Sequence, residues 1–85
     1  MQELSYTIKD PDGVHARPAG LLVKAMQGFQ SKVTVRVGGK EADGKKLFAL
    51  MALGIKQGAD ITLTADGPDE AAALASAQSI LVENL

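Results

Sequence analysis

The stretch Gly13-Val14-His15-Ala16-Arg17-Pro18-Ala19 brings an imidazole, a guanidinium and a proline into four consecutive residues. Apolar residues then recur at helical spacing from Ala16 to about Phe29, at Leu22, Met26 and Phe29 with Leu21 and Ala25 beside them. The stretch therefore opens a helix, with Pro18 in the first turn, where a missing N–H is no loss. The backbone N–H groups of Ala16 and Arg17 have no carbonyl inside such a helix to bond, and they point out of its N-terminus toward His15. Unpaired donors and aligned peptide dipoles favour an anion at that place. Arg17 adds a permanent charge that can donate two hydrogen bonds to phosphate oxygens. Imidazole offers a nitrogen lone pair near neutral pH and is a good phosphoryl acceptor. The N–P bond it forms stays labile, so the group can move on to another nucleophile. The residues alone leave two readings open: an anion or phosphoryl site, or a surface histidine that starts a helix beside a solvated arginine.

The elements that must position this stretch follow from the hydrophobic period. Leu4, Tyr6 and Ile8 alternate with Ser5 and Thr7, which predicts a half-buried strand, broken by Asp10-Pro11-Asp12-Gly13. After the helix, which Gly28 helps to end, Val33, Val35 and Val37 alternate with Lys32, Thr34 and Arg36. Gly38-Gly39 is a two-residue hairpin turn, because glycine accepts positive φ, and Lys40 to Ala42 is the return strand. A short helix is predicted from about Lys46 to Leu53, stopped by Gly54. A fourth strand spans Asp60 to Ala65, and an alanine-rich helix spans about Glu70 to Val82, with Leu74 and Leu81 on its packing stripe. Asp69 and Glu70 are expected to serve the start of that helix. The order is β-α-β-β-α-β-α, and every strand has a polar face. The expected fold is α+β: an open-faced β-sandwich, a four-stranded antiparallel sheet with three helices on one face. Residues 1–85 form one domain in this reading.

Composition narrows the function. Nine basic and ten acidic residues give a net charge of −1, which argues against a nucleic-acid surface, and aromatics at 4% without tryptophan argue against base stacking. Cysteine is absent and there is one histidine, so no thiol nucleophile, disulfide or structural metal site is expected. Ser5, Ser31, Ser76 and Ser79 lack the setting of a hydrolase nucleophile. The longest apolar run, Leu47 to Leu53, is too short for membrane insertion. MQELSYTIKD lacks a basic stretch followed by an apolar one, so no signal peptide is visible and a cytoplasmic location is expected. No cofactor is implied.

The run Leu47-Phe48-Ala49-Leu50-Met51-Ala52-Leu53 is apolar beyond what one buried stripe of a short helix needs. Leu50 and Leu53 share one side. Leu47, Phe48, Met51 and Gly54 gather toward the other and would form an exposed apolar patch, the kind that marks a partner surface. A wholly buried helix is the competing reading.

The segment GVHARPAGLLV resembles the active-site segment of the HPr family, the histidine-containing phosphocarriers of the phosphoenolpyruvate-dependent sugar phosphotransferase system. GGKEADGK and LFALMALGIKQG extend the resemblance over essentially the whole chain. It implies that enzyme I, charged by phosphoenolpyruvate, donates a phosphoryl group to Nδ1 of His15, and that the carrier passes it to a histidine of an enzyme IIA domain. It further implies that Arg17 is the phosphate-binding cation, that Pro18 shapes the helix start, and that the amides of Ala16 and Arg17 receive phosphate oxygens. The terminal carboxylate of Leu85 would lie near the site. The short helix would dock on enzyme I and other partners, with Arg17, Gly20 and Lys24 edging the patch, and the carrier would act as a monomer without turnover of its own. A regulatory interaction module, or a carrier for the nitrogen-related branch of the same system, are the alternatives.

Two positions depart from the family pattern. Lys46 stands where a serine is common, so it has no hydroxyl to phosphorylate there. Lysine is also a poor N-cap, at a cost of about 1 kcal/mol relative to a capping hydroxyl. Asp12 stands where uncharged polar residues are frequent. A carboxylate there would repel an incoming phosphoryl group if it lay against His15, whereas a solvated, loop-breaking aspartate would not.

Overall fold

The computed structural model describes residues 1–85. The elements are β1 (Gln2–Thr7), α1 (Ala16–Gln27), β2 (Lys32–Val37), β3 (Lys40–Asp43), α2 (Leu47–Met51), β4 (Asp60–Asp66) and α3 (Glu70–Asn84). The order is the one the hydrophobic period predicts. All strand pairs are antiparallel, and the sheet runs β1-β4-β2-β3. Gly38 and Gly39, at φ of 55° and 96°, form the β2–β3 turn and set Val37 opposite Lys40. No helix is long and apolar enough to cross a membrane.

Alternation decides which face is covered. Val33 and Val35 of β2 and Ile61, Leu63 and Ala65 of β4 point into the core. There they meet Ala19, Leu22, Val23 and Met26 of α1, Leu50 of α2, and Ala73, Leu74, Ala77 and Leu81 of α3. The residues between them lie on the other face and pair across the strands as Thr34 with Thr64, Arg36 with Thr62 and Arg36 with Glu41. Thr64, on the central β4, is itself buried, while the others are half-buried or exposed. The three helices thus lie on one side of the sheet, and the other side is an open, polar surface.

The helix ends differ from the predicted ones for one reason. Gly28 and Phe29 bond the carbonyls of Ala25 and Met26, and Leu53 and Gly54 bond those of Leu50 and Met51. These bonds span three residues instead of four, the usual tightening where carbonyls run out of helical partners. So α1 stops at Gln27 rather than Phe29 and α2 at Met51 rather than Leu53; with Lys46 as its N-cap rather than its first residue, α2 has five residues instead of eight. In the other direction, α3 continues past Val82 to Asn84, closed by the Leu85 N–H on the Leu81 carbonyl.

Asp69 corrects the reading of the last helix start. It occupies the N-cap position of α3, yet its carboxylate makes no capping bond. It crosses instead to the α1–β2 connection, where it accepts the N–H groups of Gln30 and Ser31, at 2.8 and 2.9 Å, and the Ser31 hydroxyl. The Ser31 hydroxyl, and after it the Gln30 N–H, hold the Asp69 carboxyl below the usual carboxylate range. Glu70 stays at the helix start, where it accepts the Gly67 N–H.

Gly13 fixes the loop that precedes α1. Its φ is +67°, and a Cβ there would fall 2.4 Å from the Ile55 carbonyl oxygen and 2.9 Å from the Lys56 Cα. The loop is pinned on that side by the Val14 N–H donating to the Ile55 carbonyl at 3.0 Å. Across the loop, the N–H groups of Lys9 and Asp10 donate to the Leu85 main-chain oxygen at 2.6 and 2.9 Å.

Two expectations follow. Gly13→Ala will destabilise the chain by about 1–3 kcal/mol from backbone conformation alone, more with the clash, read as a lower urea midpoint. Asp69→Asn will be less stable than the parent chain at neutral pH. A carboxyl held low in the folded state contributes stability above its unfolded value and loses it as pH falls through the folded one. The gap in thermal midpoint between the two proteins will therefore shrink below about pH 4, the ordinary aspartate range. A gap constant from pH 7 to 2 would contradict this account.

Candidate functional site

α1 begins at Ala16, and His15 is its N-cap, with extended backbone (φ −101°, ψ 176°) and no capping bond from its side chain. A serine or aspartate there would have bonded the first-turn amides with its own oxygen. The histidine leaves them free, and the Ala16 and Arg17 N–H groups find no acceptor within the chain; the first helical bond is Ala19 N–H to the His15 carbonyl. Pro18 is buried as the third helical residue, where an N–H would also lack a partner, so the free donors of this turn number two. The His15 side chain is 42% exposed, turned outward and open to a partner.

Arg17 is exposed and makes no ion pair within the chain. With His15 and Pro18 it lines a shallow cleft whose other walls are Asp10, Leu21, Glu83 and Asn84. A larger concavity lies over the β1–β4 edge among Ser5, Thr7, Asp60 and Thr62, and it holds no imidazole, thiol or free guanidinium.

Sequence reasoning weighed Asp12 as the carboxylate near the ring and passed over Asp10. The structure gives Asp10 the closer part: its Oδ2 lies 3.6 Å from His15 Nε2, and its Oδ1 accepts the Asp12 N–H at 2.8 Å. Oxygens of both aspartates and a ring nitrogen do fall within 4.8 Å of one another. The signal for Asp10 was in the sequence, since aspartate at the head of a Pro-Asp-Gly turn commonly bonds the backbone two residues on. Leu85 lies at the site loop as expected, and there its main-chain oxygen braces the Lys9 and Asp10 amides while its side chain is buried.

α2 packs against α1, tied in place by Gln27 Nε2 donating to the Lys45 carbonyl and Lys45 Nζ donating to the Phe29 carbonyl, at 2.9 and 2.7 Å. Leu50 is fully buried, and Phe48 is 84% exposed. Met51 and Gly54 are exposed with it. The division of the other two leucines differs from the expected one, for Leu47 and Leu53 are both half-buried against the core. A helix of five residues with tightened ends does not hold a clean two-sided pattern across seven positions. Gly20 is half-buried and Lys24 exposed on α1, and Leu21, read from the sequence only as a neighbour of the apolar stripe and not as part of the patch, is 47% exposed beside them. Lys46 is exposed at the N-cap of α2 and makes no capping bond.

The comparisons with known proteins agree with this geometry. Residues 2–83 match the family model described as PTS HPr component phosphorylation site. A histidine-containing phosphocarrier protein of Mycoplasma superposes with a TM-score of 0.95 at 34% identity, over 96% of this chain and 93% of that one. HPr of Thermoanaerobacter tengcongensis gives 0.93 at 34% identity, over 98% and 93%. Crh, a catabolite-repression protein of Bacillus subtilis solved as a domain-swapped dimer, gives 0.77 at 32% identity, over 100% and 98%. With an outward imidazole over free helix-start donors and a match across nearly its whole length, the chain belongs to the HPr family of phosphocarriers of the phosphotransferase system.

Proposed function

We propose that this chain accepts a phosphoryl group on Nδ1 of His15 from phosphorylated enzyme I and delivers it to an enzyme IIA domain in sugar uptake. The observation that supports this reading best is the exposed His15 ring capping a helix whose Ala16 and Arg17 amides have no partner. Those two N–H groups and the exposed Arg17 guanidinium are three positive poles beside His15 in sequence, which supports their receiving phosphoryl oxygens. Preorganised donors cost no rearrangement during transfer. Because the donors lie at the surface, a partner can present its own phosphohistidine in line with the ring and later withdraw. Phe48, Met51 and the exposed cations Arg17 and Lys24 supply the surface for that docking, with the monomer as the acting form and the cytoplasm as the compartment. Basic residues around the patch would speed encounter with acidic partners.

The likeness to Crh supports a second reading, a regulatory module that binds partners without relaying phosphate. Lys46 offers no hydroxyl for a regulatory kinase, which favours the carrier.

Incubation with enzyme I and phosphoenolpyruvate is the test. The chain should gain an acid-labile phosphoryl group that is absent in His15→Ala and that passes to enzyme IIA. Arg17→Ala should slow the transfer about 10- to 100-fold, the scale of losing one or two charge-assisted hydrogen bonds. No label on the parent chain, under conditions that charge a known HPr, would defeat the proposal in favour of the regulatory module.

Phe48→Ala separates docking from chemistry. Its side chain is exposed, so stability should change by less than about 0.5 kcal/mol. As a lost aromatic anchor it should raise the apparent KM for enzyme I about tenfold with kcat little altered. An unchanged KM would remove Phe48 from the docking surface.

A further inference from the structure

We infer that Asp10 is a positioning residue for the His15 ring: its carboxylate selects the tautomer with the proton on Nε2 and so leaves the lone pair on Nδ1. The inference deepens the carrier reading above and rests on it. The ring presents Nε2 to Asp10 Oδ2 at 3.6 Å, an ion-pair separation. At that distance an unprotonated Nε2 would set lone pair against carboxylate oxygen, whereas an Nε2–H sets a donor dipole against it. A carboxylate facing one imidazole nitrogen in this way fixes which nitrogen stays free.

Asp10 is suited to this because its backbone and one carboxylate oxygen are already bonded. Its N–H donates to the Leu85 main-chain oxygen, and its carbonyl accepts the Gly13 N–H at 2.9 Å. One carboxylate oxygen is committed to the Asp12 N–H, which aims the other at the ring. The aspartate therefore faces the imidazole from the loop that precedes α1, while the unpaired amides of Ala16 and Arg17 belong to the helix's first turn. In the transfer step the Nδ1 lone pair forms the bond to phosphorus as the bond from phosphorus to the donor's ring nitrogen breaks. That electron pair returns to the donor ring. The Nε2 proton stays where it is, and the positive charge that develops on the His15 ring is met by Asp10.

Asp10→Asn tests the inference without dismantling the loop. The Asp12 N–H requires an acceptor, so the amide oxygen will take the place of Oδ1 and the NH2 will face the ring. A donor facing Nε2 draws out its lone pair and moves the proton to Nδ1. The measurements are the ring nitrogen resonances of His15 in alkaline solution, where imidazole is neutral, and the rate of phosphorylation by enzyme I. The parent chain should carry its proton on Nε2. Asp10→Asn should shift it toward Nδ1 and accept phosphoryl about tenfold more slowly, the scale of a lost outer partner of a histidine. Asp10→Ala, offering the ring neither donor nor acceptor, should fall between the two. If the Asn variant keeps the parent's ring resonances, or if the proton moves and the rate does not, the inference is overturned while the carrier reading stands. A parent chain that takes up no phosphoryl at all would overturn the carrier reading and this role with it.

Discussion

The organisation of the molecule depends on a helix that starts without a cap. His15 holds the N-cap position of α1 and gives nothing to the amides behind it. An uncapped start costs about 1 kcal/mol relative to serine or aspartate. It also leaves the N–H groups of Ala16 and Arg17 without a partner in the turn that follows the His15 ring, the kind of helix start that favours an anion. The helix start keeps its geometry because other parts of the chain hold it. Gly13 and Val14 lean on the Ile55 carbonyl, and Lys9 and Asp10 hang from Leu85. Stability withheld at the cap is offset by contacts from segments about forty and about seventy-five residues away in sequence.

Those contacts explain the sheet order. With β4 in the middle, both its neighbours are central to the site: β1 delivers the chain into the His15 loop, and β2 receives it from α1. The Asp69 carboxylate joins the start of α3 to the segment between α1 and β2, so the two long helices are registered against each other at one end. At the other end, α3 finishes under the site loop. The carboxylate that might have capped α3 serves this registration instead, which is why Asp69 shows no capping bond despite its position.

Much of this was legible in the residues. Alternation at Val33-Val35-Val37 and the Gly38-Gly39 turn specify a hairpin on local grounds, and His-Ala-Arg-Pro before an apolar helical period specifies where α1 begins. What the sequence hid was non-local. Nothing in the pattern of Asp60 to Asp66 says that it pairs with both β1 and β2, because strand neighbours are chosen by packing rather than by local preference. Asp69 reads as a cap until its real partners, almost forty residues earlier, are in view. Asp10 reads as a turn residue, which it is, and its second oxygen acquires meaning only once the ring of His15 is placed beside it. Leu47 and Leu53 departed from the expected division around α2 for a different reason: a helical wheel assumes regular geometry, and so short a helix is mostly ends.

The same physics bears on why the site sits at the surface. A phosphoryl group on imidazole is useful to a relay only while it remains transferable, so the site must stabilise the group without burying it. Two backbone donors and one guanidinium at an open surface, if they are what meets the phosphate oxygens, would bind them less tightly than a closed pocket. That moderate hold suits a group that arrives from one protein and leaves to another. On the proposed reading, water exclusion and in-line alignment would then fall to the partner that docks beside the site. Division of labour between a small open site and the surface beside it follows from how little an 85-residue chain can enclose, with its core already committed to joining one sheet to three helices.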